Sequence, residues 1–459
     1  MKYTAALLAG GAASVAHASA FCANAVQDTI GNYYCPGAVA QIKYTGLDIP
    51  GKYRKVASMD NSGLCIFEDQ TYSGPIAPYD EDLSLQFRGP MVLSNVAVYH
   101  PTSSNSKRNT PRTSQSKRHG HQHKHLHKKH DQHIEEKRAD MVTAVIDGIT
   151  QTWENDWFGG AATSTNLDQP SIPTTEAAAT PTVAAAETTP GAQPSSSQSS
   201  SSDASNTQAT EASDFERTAY YCAQDGTADG LVFLANVGTD GVSGTFDNVW
   251  GSSLGYVDEN GAAAASSPTV LQKRQLASNQ EIAIYSDKEC TNGDCGATRP
   301  KSVAYKGFAG ATKIFVVEFT MPDTGETADG KNMPAFWINN GAIGRTGQYT
   351  SCNCWAGDNE SPLQGSCGEF DVVEILTPGE TRAKSTFHFA AGTGDSHYFD
   401  RPVNAPMTVA VVFDAASSTV SIKFLDSFDW STSLTSDQVN AMISDESDVS
   451  KLSLMTFGR

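Results

Sequence analysis

A chain of 459 residues is long enough for two or three domains and a sizeable core. Charged residues make up 18% and apolar ones 39%, low for one continuous globule. The formal net charge of -19 argues against a nucleic-acid partner, and no apolar run of 18 or more follows the first residues, which excludes a membrane-spanning helix in the mature chain.

Residues 1–20 read as a secretory signal peptide. Lys2 is followed by a short apolar stretch and an Ala18-Ser19-Ala20 exit, so the mature chain is expected to begin at Phe21. All nine Cys lie beyond that point, and in a secreted chain they are expected to form disulfides with one left over. Zinc at Cys352, Cys354, Cys367 and His388 is the weaker alternative. No hydrophobic tail ends the sequence, so an anchor of the GPI kind is not expected.

Residues 21–100 read as a small, mostly β region containing Cys22, Cys35 and Cys65. Residues 101–138 form a basic linker in which seven His fall between 119 and 133. Alternate His at 119–127 have metal-binding composition, but no carboxylate or Cys fixes a geometry, and a solvated spacer is the plainer reading. Its pairs Lys107-Arg108, Lys117-Arg118 and Lys137-Arg138 are candidate processing sites. The spacing of Met141, Val142, Val145, Ile146 and Ile149 predicts a short amphipathic helix over 139–159. Residues 160–213, rich in Ser, Thr, Ala and Pro and without Lys or Arg, read as a disordered, O-glycosylated type of stalk.

From 214 to 459 strands are expected at 231–237, 281–285, 312–320, 333–339, 369–376, 385–390, 407–413 and 419–425, with a capped helix over 436–443. The fold class is therefore all-β, with a C-terminal sandwich.

The chemistry concentrates in Glu369-Phe370-Asp371-Val372-Val373-Glu374. Carboxylates are poor strand formers and costly to bury, so three of them among apolar residues need a reason. Glu369 and Asp371 share a face in a strand. Glu374 would point away unless one extra residue, a bulge near Val372-Val373, returns it. Two carboxylates about 5–5.5 Å apart can cleave a glycosidic bond with retention. The plainer alternative is an edge strand whose acids are solvated.

This segment resembles the E-x-D-x-x-E signature of glycoside hydrolase family 16. Pro334-Ala335-Phe336-Trp337 is similar to that family's P-A-x-W strand, and Ser385-Thr386-Phe387-His388-Phe389 to its His-bearing strand. With Cys352-Asn353-Cys354-Trp355 and Gly365-Ser366-Cys367-Gly368, the chain also resembles the fungal cell-wall "target of SBF" proteins. The resemblance implies a β-jelly roll over 214–459 with a cleft for β-1,3-glucan. It implies Glu369 as nucleophile, Glu374 as acid/base and Asp371 as assisting carboxylate. Trp337 would stack on a sugar ring and His388 would lie beside the acids. The Cys-rich loop at 351–367 departs from the general family pattern.

Two further residues are candidates on their own chemistry. Trp355 is either a sugar platform or a cover for the disulfides. Arg345, with Tyr349, is a donor for sugar hydroxyls or a partner for surface acids. Asn359-Glu360-Ser361 is a glycosylation sequon. The expected function is a secreted cell-wall glycosidase, endo-acting on β-1,3-glucan with no cofactor and no metal, and assumed monomeric. A glucan transglycosylase using the same residues and a non-catalytic, glucan-binding wall protein are the alternatives.

Overall fold

The computed structural model describes residues 22, 24–28, 30–102, 141–146, 149–154, 213–355, 366–389, 391–392 and 394–457. The expected signal peptide, nearly all of the His-rich linker and of the stalk, and the sequon at Asn359 lie outside these residues.

Two large sheets face each other. The first has the order Thr227–Asp229, Phe215–Cys222, Met91–Pro101, Lys313–Thr320, Met407–Asp414, Thr419–Leu425, Gln41–Thr45, Leu452–Thr456, with two short strands at its side. The second runs Ala264–Ala265, Gly255–Val257, Leu231–Ala235, Glu281–Ser286, Leu83–Arg88, Ala335–Asn340, Glu369–Glu374, Arg382–His388, Phe399–Asp400. Alternation along each strand sends one set of side chains inward. Tyr44, Val98, Phe315, Val411 and Ile422 from the first sheet meet Leu85, Phe87, Phe336, Phe370 and Phe387 from the second in one buried core. The outward face of the first sheet is also apolar, at Tyr99, Ile314, Val316 and Val412, and is covered by Val439 and Met442. These two come from the helix Ser436–Ile443, whose capping box pairs Thr435 with Gln438. Among the described residues no helix is long and apolar enough to cross a membrane.

The sandwich is not confined to 214–459. Leu83–Arg88 is inserted between Glu281–Ser286 and Ala335–Asn340, and Met91–Pro101 between Phe215–Cys222 and Lys313–Thr320. Gln41–Thr45 lies between Thr419–Leu425 and the parallel strand Leu452–Thr456. The N-terminal region thus fills interior positions of both sheets. The partners of these three strands lie more than a hundred residues away, so no local pattern in the sequence could announce them.

Four disulfides form, Cys22–Cys35, Cys65–Cys352, Cys290–Cys295 and Cys354–Cys367, while Cys222 is free and buried. The zinc alternative is thereby corrected, because Cys352, Cys354 and Cys367 are all oxidised. The helix expected over 139–159 is also corrected: Met141–Ile146 and Ile149–Glu154 pair as antiparallel strands. The physical reason is composition. Val, Thr and Ile are stiff, β-branched residues, and an Asp-Gly pair between two such runs is a sequence signal for a hairpin.

Cys65–Cys352 joins the N-terminal region to the rest of the chain across the linker. Cleavage within 103–138 is expected to leave both fragments in one band on a non-reducing gel and to split them on reduction. Fragments that part without reductant would contradict the pairing. Phe370 and Phe387 stack at 3.8 Å on the core side of the acid-bearing strand. Phe370→Ala is expected to cost about 3–5 kcal/mol, read from the denaturant midpoint.

Candidate active site

The strand Glu369–Glu374 begins after Gly368, whose φ of +107° suits glycine and whose missing side chain makes room for the Tyr79 ring. Tyr79 donates its hydroxyl to the Glu369 carbonyl at 2.8 Å, fixing the start of the strand. Phe370 then enters the core, while Glu369 and Asp371 face the other way. Val372 and Val373 are both fully buried. On one side Val373 pairs with Phe336 and Asp371 with Trp337, so Val372 is the extra residue. On the other side Asp371 pairs with Thr386 and Glu374 with Lys384, the same one-residue shift. This is a β-bulge, and it returns Glu374 to the face that carries Glu369 and Asp371.

The neighbouring strands supply the surroundings of the three acids. Asn339 and His388 lie opposite Glu369. His388 Nε2 is 2.8 Å from Asp371 Oδ2. Oriented to satisfy both neighbours, the Asn339 amide donates to Glu369 Oε2 at 2.8 Å and accepts from Trp337 Nε1 at 3.1 Å. Arg88 reaches across Ala335, its cross-strand neighbour, and donates from Nη2 to Glu374 Oε1 at 3.0 Å. Only a methyl side chain at Ala335 leaves that path open. Arg88 also lies over the Trp337 ring, 5.8 Å from its centroid. Its other cross-strand neighbour, Glu281, accepts a hydrogen bond from the Tyr349 hydroxyl.

Burial first, and then the Asp371 carboxylate, push Glu369 up to about 8. The same two causes push Glu374 up to about 7, with Arg88 pulling the other way. Burial opposes charge on His388, but the Asp371 carboxylate outweighs it and the imidazole is pushed up to about 9. The Asn339 amide is the hydrogen-bond donor at Glu369, and the Arg88 guanidinium is the one at Glu374. Asp371 and His388 form an ion pair beside the two glutamates.

Donor atoms of Glu369, Asp371 and His388 lie within 4.8 Å of one another, close enough for a cation. A protonated imidazole offers no lone pair, and the Asp371 charge is already answered by it. The cluster is therefore balanced by its own residues.

Trp337 sits on this face with 6% of its surface exposed, so it forms floor rather than rim. Trp355 is half-buried, with its ring 6.4 Å from that of His388, and the Cys354–Cys367 bond holds it there. Among the described residues the Trp355 indole N–H has no hydrogen-bond partner. Arg345 is not brought to the acids. It lies in the short helix Gly341–Thr346, donates to the Tyr305 carbonyl at 3.1 Å and faces Asp82. There it lines a separate concavity of about 430 Å³ with Tyr53 and Glu81. Sequence reasoning missed Arg88 and Asn339. Asn339 had a signal, because it lies two residues from Trp337 in a strand and so shares its face. Arg88 had none.

Two family models match the chain. The one described as "Cell wall protein YJL171C/Tos1, C-terminal" covers residues 213–442, and its N-terminal counterpart covers 40–101. A protein of Arthroderma benhamiae named "Probable circularly permuted 1,3-beta-glucanase" is 36% identical over 86% of this chain and 86% of its own length. The Saccharomyces cerevisiae protein named "Probable circularly permuted 1,3-beta-glucanase TOS1" is 35% identical over 90% of this chain and 92% of its own. A similarly named Schizosaccharomyces pombe protein is 33% identical over 85% and 88%. No solved structure gives a significant match. The match to both family parts, in strands that interleave in one sandwich, establishes that the chain belongs to the YJL171C/Tos1 family of cell wall proteins.

Proposed function

We propose that this chain is a secreted glycosidase that cleaves β-1,3-glucan in a cell wall, with retention of configuration. The observation that carries the reading is the bulge at Val372, which turns Glu374 to the face of Glu369 and Asp371. The relatives named as probable 1,3-beta-glucanases support the substrate class. The disulfides fit an oxidising, extracellular setting.

Glu369, holding the Asn339 amide, attacks the anomeric carbon. Glu374 gives its proton to the departing glycosidic oxygen as that bond breaks. A glycosyl ester now joins the sugar to Glu369, and Glu374 is a carboxylate. Water then attacks the anomeric carbon and gives its proton to Glu374 as the bond from that carbon to the Glu369 oxygen breaks, which frees Glu369. Asp371, paired with His388, holds negative charge beside the pair and helps keep the proton on it. Trp337 and Trp355 present apolar surface near the reacting sugar. Interception of the ester by a second glucan chain would give transglycosylation with the same residues.

Laminarin hydrolysis, read as reducing ends, is expected to fall by about 10²–10⁴-fold in Glu374→Gln and to be lost in Glu369→Gln. NMR of the first products should show the β anomer; an α anomer would exclude retention. Equal sugar release by wild type and Glu369→Gln would overturn the enzyme reading and leave a wall-binding protein. A second test concerns His388. Its folded value lies above the unfolded 6.5, so the charged ring stabilises the fold below that point and the contribution is lost as pH rises through about 9. In NMR titrations the His388 signal should have its midpoint near 9 and move down in Asp371→Asn; an unmoved midpoint would contradict the ion pair.

A further inference from the structure

The acid-bearing strand belongs to the C-terminal part of the chain, yet the guanidinium that grips Glu374 comes from the N-terminal part. Arg88 ends the strand Leu83–Arg88. Its Nε donates to the Met333 carbonyl at 2.8 Å, and its Nη2 to Glu374 Oε1 at 3.0 Å. A planar guanidinium held at both points has a fixed direction, and so has the carboxyl group it grips. A flexible lysine would not give that constraint.

No other side chain described around Glu374 takes this place. On its own strand stand Glu369 and Asp371, both acids. From the strand Arg382–His388 come His388, which faces Asp371, and Lys384, which donates to the Tyr33 carbonyl at 2.8 Å. From the strand Ala335–Asn340 comes Trp337, beneath the guanidinium. Beyond Arg88 lie Glu281 and Tyr349, bonded to each other.

We propose that Arg88 is the positioning residue of Glu374, aiming its carboxyl group and stabilising the carboxylate that exists between the two halves of the reaction. The proposal rests on the glycosidase reading above. In the first half Glu374 loses its proton to the leaving oxygen, and the new anion is met by a guanidinium already in place. In the second half that anion accepts the proton of the attacking water. Arg88 gains and loses nothing in either half. Without it the proton is held more tightly, so donation persists to higher pH while the return step slows.

The test uses the full chain and the variants Arg88→Met and Arg88→Gln, the second keeping hydrogen-bond donors without the charge. Two readouts are needed. One is the pH dependence of kcat/KM on laminarin. The other is the titration of the Glu374 carboxyl carbon by NMR, assigned through Glu374→Gln. Both the alkaline limb and the carboxyl midpoint are expected to rise by about one pH unit or more in either variant, with kcat lowered at neutral pH. Should Arg88→Met fail to fold, Arg88→Gln alone decides. Midpoints left at the wild-type position would overturn the proposal, whatever the loss of rate. A wild type that releases no sugar while the midpoint still rises would instead sink the glycosidase reading and leave the Arg88 effect standing.

Discussion

One surplus residue in one strand decides where the three carboxylates of this molecule stand. A regular strand would send the last of three carboxylates into the aromatic core beside Phe370 and Phe387, where an ion could not survive unpaired. Val372 takes up the surplus, and both valines are buried in that core. The hydrophobic side of the strand thereby pins the polar side. The placement of Glu374 is held by the packing beneath it, not by the solvent above.

The fold follows from the same demand. An acid-rich face needs rigid strands on each side, and those strands are buried below and bonded laterally. The N-terminal strand that ends in Arg88 lies two strands from the acids and supplies the cation that Glu374 meets. Cys65–Cys352 and Cys354–Cys367 tie the loop bearing Trp355 to the hairpin of strands Gly51–Met59 and Cys65–Tyr72 and to the segment just before Glu369. The site is thus assembled from chain segments far apart in sequence, with the disulfides limiting how far they can drift.

What could be read beforehand depended on whether the signal was local. The acids announced themselves through period-two alternation and apolar gaps, and the need for a bulge followed from counting positions. The strands at 312–320, 407–413 and 419–425 were equally plain, because they are continuous runs rich in β-branched residues. Three features were illegible for physical reasons. The partners of Leu83–Arg88 are non-local, so the N-terminal region looked independent. The run at 141–154 matches a helical period as well as a strand, and only its β-branched content and Asp147-Gly148 tip it. Arg345, the fifth residue of the stretch Gly341–Tyr349, gave no hint that its side chain turns toward Asp82 and away from the acids.

Trapping the covalent intermediate tests the central claim most directly. A laminari-oligosaccharide donor fluorinated at carbon 2 and carrying a good leaving group should form a stable ester. Mass spectrometry of the digested protein should then find the sugar on the Glu369 side chain, and Glu374→Gln should still accept it from such an activated donor. An adduct on any other residue, or hydrolysis of glucan with no adduct at all, would contradict an account in which the bulge sets two glutamates to work on one bond.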